Sequence, residues 1–323
     1  VAIQMGCSSA TSKNSEEITV YTAVEADQLK QYQEELHKAY PELKVKWVRD
    51  STGVITAKLL AEQKNPQADV AFGVALTSLL VMEKKDMLEP FKPEGVQNLK
   101  PEFVSQKPVP TWTGMDAWES AICVNKVELE KRKLPIPKTW KDLTNPIYKN
   151  LIVMPNPASS GTGYLDVTAW MQIWGEKQAW DYMQALDKNI SQYPHSGSKP
   201  CKMAAQGEIP IGVSFGYPAF KLKAEGAPLE VVYPTEGLGW EMEASAIVKG
   251  TKKLSSAQKF INWSVSKAAN EAYAHNFSMV AYKGIENTTM DFPKNNVAEK
   301  FLSPGDIIDV LMSQHNVLLM CLR

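Results

Sequence analysis

The sequence predicts an α/β protein of two lobes, on three observations. Strand and helix patterns alternate β-α-β-α-β over residues 17–74, an order that calls for a parallel sheet with right-handed crossovers. A second α/β series opens near Ala121 and ends in a strand at 229–234. Between and after them lie candidate lobe crossings, near 118–123 and 235–245, so the chain passes between the lobes more than once. A chain of 323 residues, 44% hydrophobic and 22% charged, is long and apolar enough for two such cores.

The elements follow in order. "EITVYTAV" (17–24) is rich in β-branched residues and reads as the first strand. The helix after it places Leu29, Tyr32, Leu36 and Ala39 on one face and closes before Pro41. "LKVKWV" (43–48) alternates as the second strand, "RDSTG" makes a polar turn, and "VITAKLLAEQKN" (54–65) is a helix. "ADVAFGV" (68–74) is the third strand and runs into "ALTSLLVMEKKDML". In the second series "AICVN" (121–125) reads as a strand, "TWKDL" (139–143) as a short helix and "NLIVMP" (150–155) as a strand. The helices "DVTAWMQIWG" and "QAWDYMQALDKN" carry Trp170, Trp174, Trp180 and Met183, a stripe that belongs to a core rather than to a cofactor box. Further strands are "IPIGVSFG" (209–216), "LEVVYP" (229–234) and "ASAIVKG" (244–250), followed by a helix or helix pair in "SSAQKFINWSVSKAANEAYAHN".

A net charge of −1 offers no global basic field for nucleic acid or an anionic membrane. No apolar run approaches the ~20 residues of a membrane-spanning helix. The opening "VAIQMGCSSATSKNSEE" resembles the end of a bacterial lipoprotein signal, with Gly6-Cys7 as the junction, Cys7 as the lipid-bearing residue and residues 1–16 as a tether. The other reading is an ordinary disordered N-terminus that contains a cysteine. With Cys7 lipidated and Cys321 near the end, Cys123 and Cys201 remain, either as an internal disulfide or as two buried thiols. There is no CxxC and no Cys/His cluster of zinc spacing, so no metal and no cofactor is expected.

The most informative stretch is "VMPNPASSGTGYLDV" (153–167), where a strand hands over to a helix through Ser159, Ser160, Gly161 and Thr162. Helix N-termini leave backbone N–H groups unpaired and carry partial positive charge, which suits an anion. Glycine lets the anion approach the backbone, and hydroxyls add donors. A serine N-cap that binds nothing is the competing reading.

Four motifs taken together, "VRDSTGVITAKLLAEQKNPQADVAFG", "GMDAWESAICVN", "VMPNPASSGTGY" and "YPHSGSKPCKMAAQGEIPIGVSFGY", resemble the extracytoplasmic substrate-binding proteins of bacterial ABC importers. More narrowly, they resemble the 2-aminoethylphosphonate-binding branch, related in fold to the ferric-iron-binding proteins. The resemblance spans roughly residues 17 to 290, whereas "FLSPGDIIDVLMSQHNVLLMCLR" lacks the Trp- and Arg-rich closing helix of that branch. It implies a type II periplasmic-binding-protein-like fold with the ligand cleft between lobes. The first lobe would hold residues 17–120 and about 240–285, the second 121–239, with 286–323 packing on them. It also implies a monomer that performs no chemistry, held at the outer face of the cell membrane or periplasmic, and delivering ligand to an ABC permease and its ATPase.

A phosphonate offers three acceptor oxygens, and each hydrogen bond to a charged acceptor contributes about 1.5–3 kcal/mol. Donors would come from Ser159, Ser160, Gly161 and Thr162 in one lobe and from Ser51 and Thr52 in the other, with Thr77 a further contributor. Asp50 or Ser51 acting only as a helix cap is the alternative. His195, Ser196 and Ser198 in "YPHSGSKP" would complete the shell, with Lys199 as a charge; a surface loop is the competing reading of His195. The ligand's ammonium needs a carboxylate, with Glu25, Asp116, Glu119 and Glu236 as candidates and Asp116 favoured. Tyr21, Trp118 and Tyr217 would pack on the two-carbon linker.

Two rival readings share the fold: a ferric-iron site, against which stands Tyr217 followed by Pro218 rather than by a second tyrosine, and an organophosphate or sugar-phosphate site using the same cradle. A serine hydrolase built on Ser160 or Ser196 lacks the G-x-S-x-G elbow, and no Walker lysine follows "SGTG". His37, His275 and His315 suggest no catalytic set.

Overall fold

The computed structural model describes residues 17–277 and 279–287. Cys7 and the tether, and the segment from 288 with His315 and Cys321, lie outside the described residues.

The chain begins with β1 (Glu17–Thr22), α1 (Ala26–Ala39), β2 (Lys44–Arg49), α2 (Thr52–Ala61), β3 (Val70–Ala75), α3 (Leu76–Lys84) and the short β4 (Leu88–Glu89). β1 runs parallel to both β2 and β3, the arrangement that a β-α-β-α-β order demands. Then come β5 (Thr113–Asn125), α4 (Lys126–Lys131), β6 (Ile152–Val153), α5 (Gly161–Trp174), α6 (Glu176–Asp187), β7 (Ile190–Gln192), α7 (Lys199–Gln206), β8 (Ile211–Phe215), α8 (Gly216–Ala224) and β9 (Leu229–Val232). The chain returns through β10 (Trp240–Val248), α9 (Leu254–Ser264), α10 (Lys267–Ala274) and β11 (Met279–Val280).

Strand order is β2-β1-β3-β10-β5-β8-β6-β7, and β5 is the shared member. Its first half pairs antiparallel with β10 (Asp116 opposite Glu243), and its second half pairs with β8 and β9 (Cys123 opposite Gly212 and Val231). The two halves have separate cores. Around the β1–β3 sheet, Ile18, Val20, Tyr32, Phe72 and Phe260 fill one face, and Ile55, Leu79, Phe103 and Met242 the other. Around β6 and β8, Trp140, Trp170 and Ile211 fill one face, and Ala121, Val153 and Ala204 the other. Two cores on one long strand make two lobes, and we place their crossings at Glu119–Ser120 and Gly239–Trp240.

Three sequence readings change. Residues 121–125 are only the end of a 13-residue strand that already contains "GMDAWE". Every residue of β5 is buried, so it carries no alternation that would mark its start. "TWKDL" becomes a 3-10 turn over Lys141–Thr144 rather than an α-helix. On α1, Leu29, Tyr32 and Leu36 are buried but Ala39 is exposed, one position before the chain turns away. Trp170 is fully buried, with Trp140 and Tyr182 ring centroids at 5.3 and 4.9 Å, and Trp174, Trp180 and Met183 pack partly buried against that cluster. Cys123 and Cys201 form a disulfide with Cα atoms 5.2 Å apart, tying the C-terminal end of β5 to α7 near its start.

Candidate functional site

Parallel strands end and helices begin along one edge of each lobe, and these edges face each other. β2 ends at Arg49 and α2 starts at Thr52, with Ser51 as an extended N-cap. In the other lobe, β6 leads through residues 154–160 into α5, where the Ser160 hydroxyl accepts from Gly163 N–H at 3.4 Å. The 193–198 loop leads into α7, with Ser198 at its N-cap. Helix starts at strand C-termini direct unpaired N–H groups and positive dipole ends into the crevice. Here the starts of α2 and α5 line one cavity of about 50 Å3, with Ser196 and Gly197 just before α7. Its walls are Ala23, Glu25, Arg49, Ser51, Thr52, Ala75, Trp118, Ser160, Gly161, Thr162, Ser196, Gly197, Phe215 and Glu243.

The lobes are in contact across this cleft. Gly53 N–H donates to Ser159 O at 3.1 Å, and the Ser51 hydroxyl donates to His195 O at 2.9 Å. Glycine permits this approach: a Cβ on Gly53 would sit 2.8 Å from Ser159 O, and one on Gly161 would sit 2.9 Å from Thr52 Oγ1. Ser159 Oγ and His195 Nδ1 lie 2.7 Å apart, joining the two loops that α2 touches. Charged pairs close the rim. Lys202 reaches Glu25 at 3.2 Å, and Asp27 accepts from Tyr217 Oη at 2.7 Å and from Lys221. Burial alone would raise Asp27, but the hydrogen bonds from Lys221 and Tyr217 outweigh it and hold the carboxyl below its ordinary value.

Inside the cleft the charges are distributed unevenly. Arg49 Nη2 lies 3.3 Å from Glu25 Oε1, while its Nε donates to Val24 O at 2.7 Å. Deeper in, Glu243 faces the cavity, and its cross-strand neighbour Asp116 is fully buried behind it. Burial, with the Glu25 charge added, pushes Glu243 up to about 8. Burial and the Glu243 charge raise Asp116 well above the usual carboxylate range. Trp118 and Phe215 meet edge to face at 5.5 Å as the aromatic wall.

Among the sequence candidates, Glu25, Ser51, Thr52, Trp118, Ser160, Gly161, Thr162 and Ser196 line the cavity. Ser159 and His195 lie at its rim, as contacts between loops and lobes. Ser198 is buried at the α7 cap, where its hydroxyl takes Lys202 Nζ at 3.0 Å, and Lys199 points to solvent while Lys202, a turn further on, spans the lobes.

Several candidates are corrected. Tyr21 turns away, its hydroxyl on Glu62 at 3.1 Å, because alternation along β1 sends it to the far face. Glu236 caps the turn at Trp140 and Lys141, accepting both N–H groups at 3.1 Å. Tyr217 serves the Asp27 rim contact rather than the linker. Thr77 is buried in the first turn of α3, hydrogen-bonded to Glu241. Asp116 does not line the cavity, being covered by Glu243. Glu119 is buried against Tyr233 Oη at 2.6 Å, and burial pushes it up to about 7.

The residues that sequence reasoning missed are Arg49, Phe215, Glu243, Asp27 and Lys202. Arg49 stood inside the quoted "VRDSTG". Glu243 had one faint signal, a charge recurring at alternate positions (Glu241, Glu243) in an otherwise apolar strand.

Residues 65–300 match the family described as bacterial extracellular solute-binding protein. An uncharacterized protein of Haemophilus influenzae is 35% identical over 238 residues, 71% of this chain and 67% of that protein. A probable ABC transporter periplasmic-binding protein of Sinorhizobium fredii is 25% identical over 244 residues, 73% of this chain and 66% of that one. The chain thus spans about two thirds of the length of these curated relatives. Among solved structures, the periplasmic binding protein AfuA of Actinobacillus pleuropneumoniae with exogenous fructose-6-phosphate bound superposes with a TM-score of 0.78 at 28% identity, covering 93% of this chain and 98% of that one. The fold matches that of type II periplasmic binding proteins.

Proposed function

The chain belongs to the bacterial extracellular solute-binding protein family, and we propose that its cleft captures 2-aminoethylphosphonate outside the cytoplasm for an ABC permease and its ATPase. The observation that carries the reading is the convergence of the α2 and α5 starts, from opposite lobes, on one hydroxyl-lined cavity. A tetrahedral anion placed there accepts from both lobes at once, so it binds the closed form better than the open one and holds the lobes together. Neutral donors and helix ends suit a headgroup that must later be released, because they bind it without a buried counter-ion to desolvate.

A sugar-phosphate ligand is the second reading, supported by the fructose-6-phosphate bound to AfuA. A ferric site finds less support, since the hydroxyls of Tyr21 and Tyr217 are engaged with Glu62 and Asp27. The reading also extends to localisation: a lipid anchor at Cys7 would keep the protein at the membrane's outer face.

The test is calorimetric titration of ligand-stripped protein with 2-aminoethylphosphonate, ethylphosphonate, fructose-6-phosphate and ferric citrate. Tight binding of the aminophosphonate, weakened at least tenfold by Ser160→Ala, is the expected result. Binding of ferric citrate alone, or of fructose-6-phosphate in preference, would overturn it.

A further inference from the structure

We propose that Glu243, at the cleft face of a buried Asp116–Glu243 pair, receives a cationic group of the ligand and so sets the preference for an aminophosphonate over a plain alkylphosphonate. The assignment rests on the phosphonate reading of the cleft and adds the group that reads the other end of the ligand.

The two carboxyls sit directly opposite on β5 and β10, so their side chains share one face of the sheet. Glu243 lines the cavity, and Asp116 lies behind it with no exposure. Both oxygens of Asp116 and Oε2 of Glu243 are buried without a hydrogen-bond partner among the described residues. Buried polar atoms in folded proteins are nearly always paired, so the orphaned Oε2 of Glu243, on a residue that lines the cavity, marks a place where a ligand's donor completes the pairing. An ammonium supplies three N–H donors and the compensating charge.

The chain's own cations do not fill that role. Arg49 lines the same cavity but is turned to Glu25 and Val24 O. Lys202 also goes to Glu25, the carboxylate at the N-cap of α1. The remaining groups facing the pair are hydroxyls, Tyr32 from α1 and Tyr273 from α10, which stay neutral because burial and the two acids raise them further. The α2 and α5 starts and Glu243 therefore line one small cavity.

A proton accompanies capture. With Glu243 raised to about 8 by burial and by Glu25, the empty cleft holds its carboxyl protonated at pH 7. A docked ammonium favours the carboxylate, so the O–H bond of Glu243 breaks, the ligand keeps its three N–H bonds, and one proton leaves for solvent. Affinity for the aminophosphonate then climbs with pH up to about 8, where the free carboxyl is already ionised. Ethylphosphonate has no group for Glu243 and its headgroup ionises at higher pH than that of the aminophosphonate, so the proton count is compared between wild type and Glu243→Gln with the same ligand.

The experiment titrates the full wild-type chain and Glu243→Gln with both phosphonates near pH 7, in buffers of differing ionisation heat. Wild type should prefer the aminophosphonate at least tenfold and release up to one more proton on binding it than Glu243→Gln does. Glu243→Gln should lose the preference and the extra proton, and a cooperative thermal melt with an unchanged circular dichroism spectrum shows that it is folded. A variant that keeps the preference, or wild type and variant releasing equal protons with the aminophosphonate, overturns the Glu243 assignment and leaves the cradle standing. Wild type that binds neither phosphonate overturns the phosphonate reading and this assignment with it.

Discussion

Gly53→Ala should cripple binding without harming the fold. In the closed arrangement a Cβ at this position would stand 2.8 Å from Ser159 O and 2.9 Å from its carbonyl carbon and Cα. Those atoms are backbone, so no rotamer change relieves the overlap; comparable overpacking costs about 1–3 kcal/mol. The Gly53 N–H bond to Ser159 O, 3.1 Å long, is also strained or lost, worth about 1 kcal/mol. Together these destabilise the closed form by about 2–4 kcal/mol. Alanine gains about 1 kcal/mol of helix propensity near the start of α2, but equally in open and closed forms, so it cancels in binding. If the ligand is held by closure, affinity should fall at least about 30-fold. The loss should be the same for 2-aminoethylphosphonate and ethylphosphonate, since closure is common to both. Calorimetry reads the affinity, and a thermal melt of the ligand-free protein should be unchanged or slightly raised. An unchanged Kd in a normally folded variant would refute the argument that the Gly53–Ser159 contact belongs to the binding state.

Three further outcomes follow from the same geometry. Reducing the Cys123–Cys201 disulfide, which closes a loop of sequence separation 78, should cost about 4 kcal/mol on the chain-entropy account, read as a lower melting temperature with reductant. Tyr217→Phe should weaken ligand binding several-fold by removing a bond between lobes; because closure lowers Asp27, affinity should also decline as pH falls through and below the ordinary aspartate value of 3.8, and Asp27→Asn should blunt that decline. Glu119 and Glu241, both pushed up to about 7 by burial, bind more protons folded than unfolded, so their contribution to stability is complete below about 4.5 and fades as pH rises to 7 and beyond. Melting temperature should therefore fall between pH 5 and 8, and a shallower fall in Glu119→Gln identifies it as a contributor.

The sequence alone carried the alternation of strands and helices, because period-2 and period-3.6 patterns are local and α1, β2 and α2 each expose one face, while β1 is marked by its β-branched residues. It also carried the proposed anion cradle, since Ser160, Gly161 and Thr162, which line the cavity, state their chemistry through small size and hydroxyls at a strand-to-helix turn. The 13-residue extent of β5 was hidden, for a strand buried on both faces has no alternation to read. Which carboxyl faces the ligand was decided only by folding. Asp116 and Glu243 are 127 positions apart in the chain, and strand pairing puts them opposite each other while the cleft reaches only Glu243. The rim contacts of Tyr217 with Asp27 and Lys202 with Glu25 are likewise products of tertiary packing. Each links residues whose separate sequence contexts are those of ordinary surface groups, and only the approach of two lobes makes them partners.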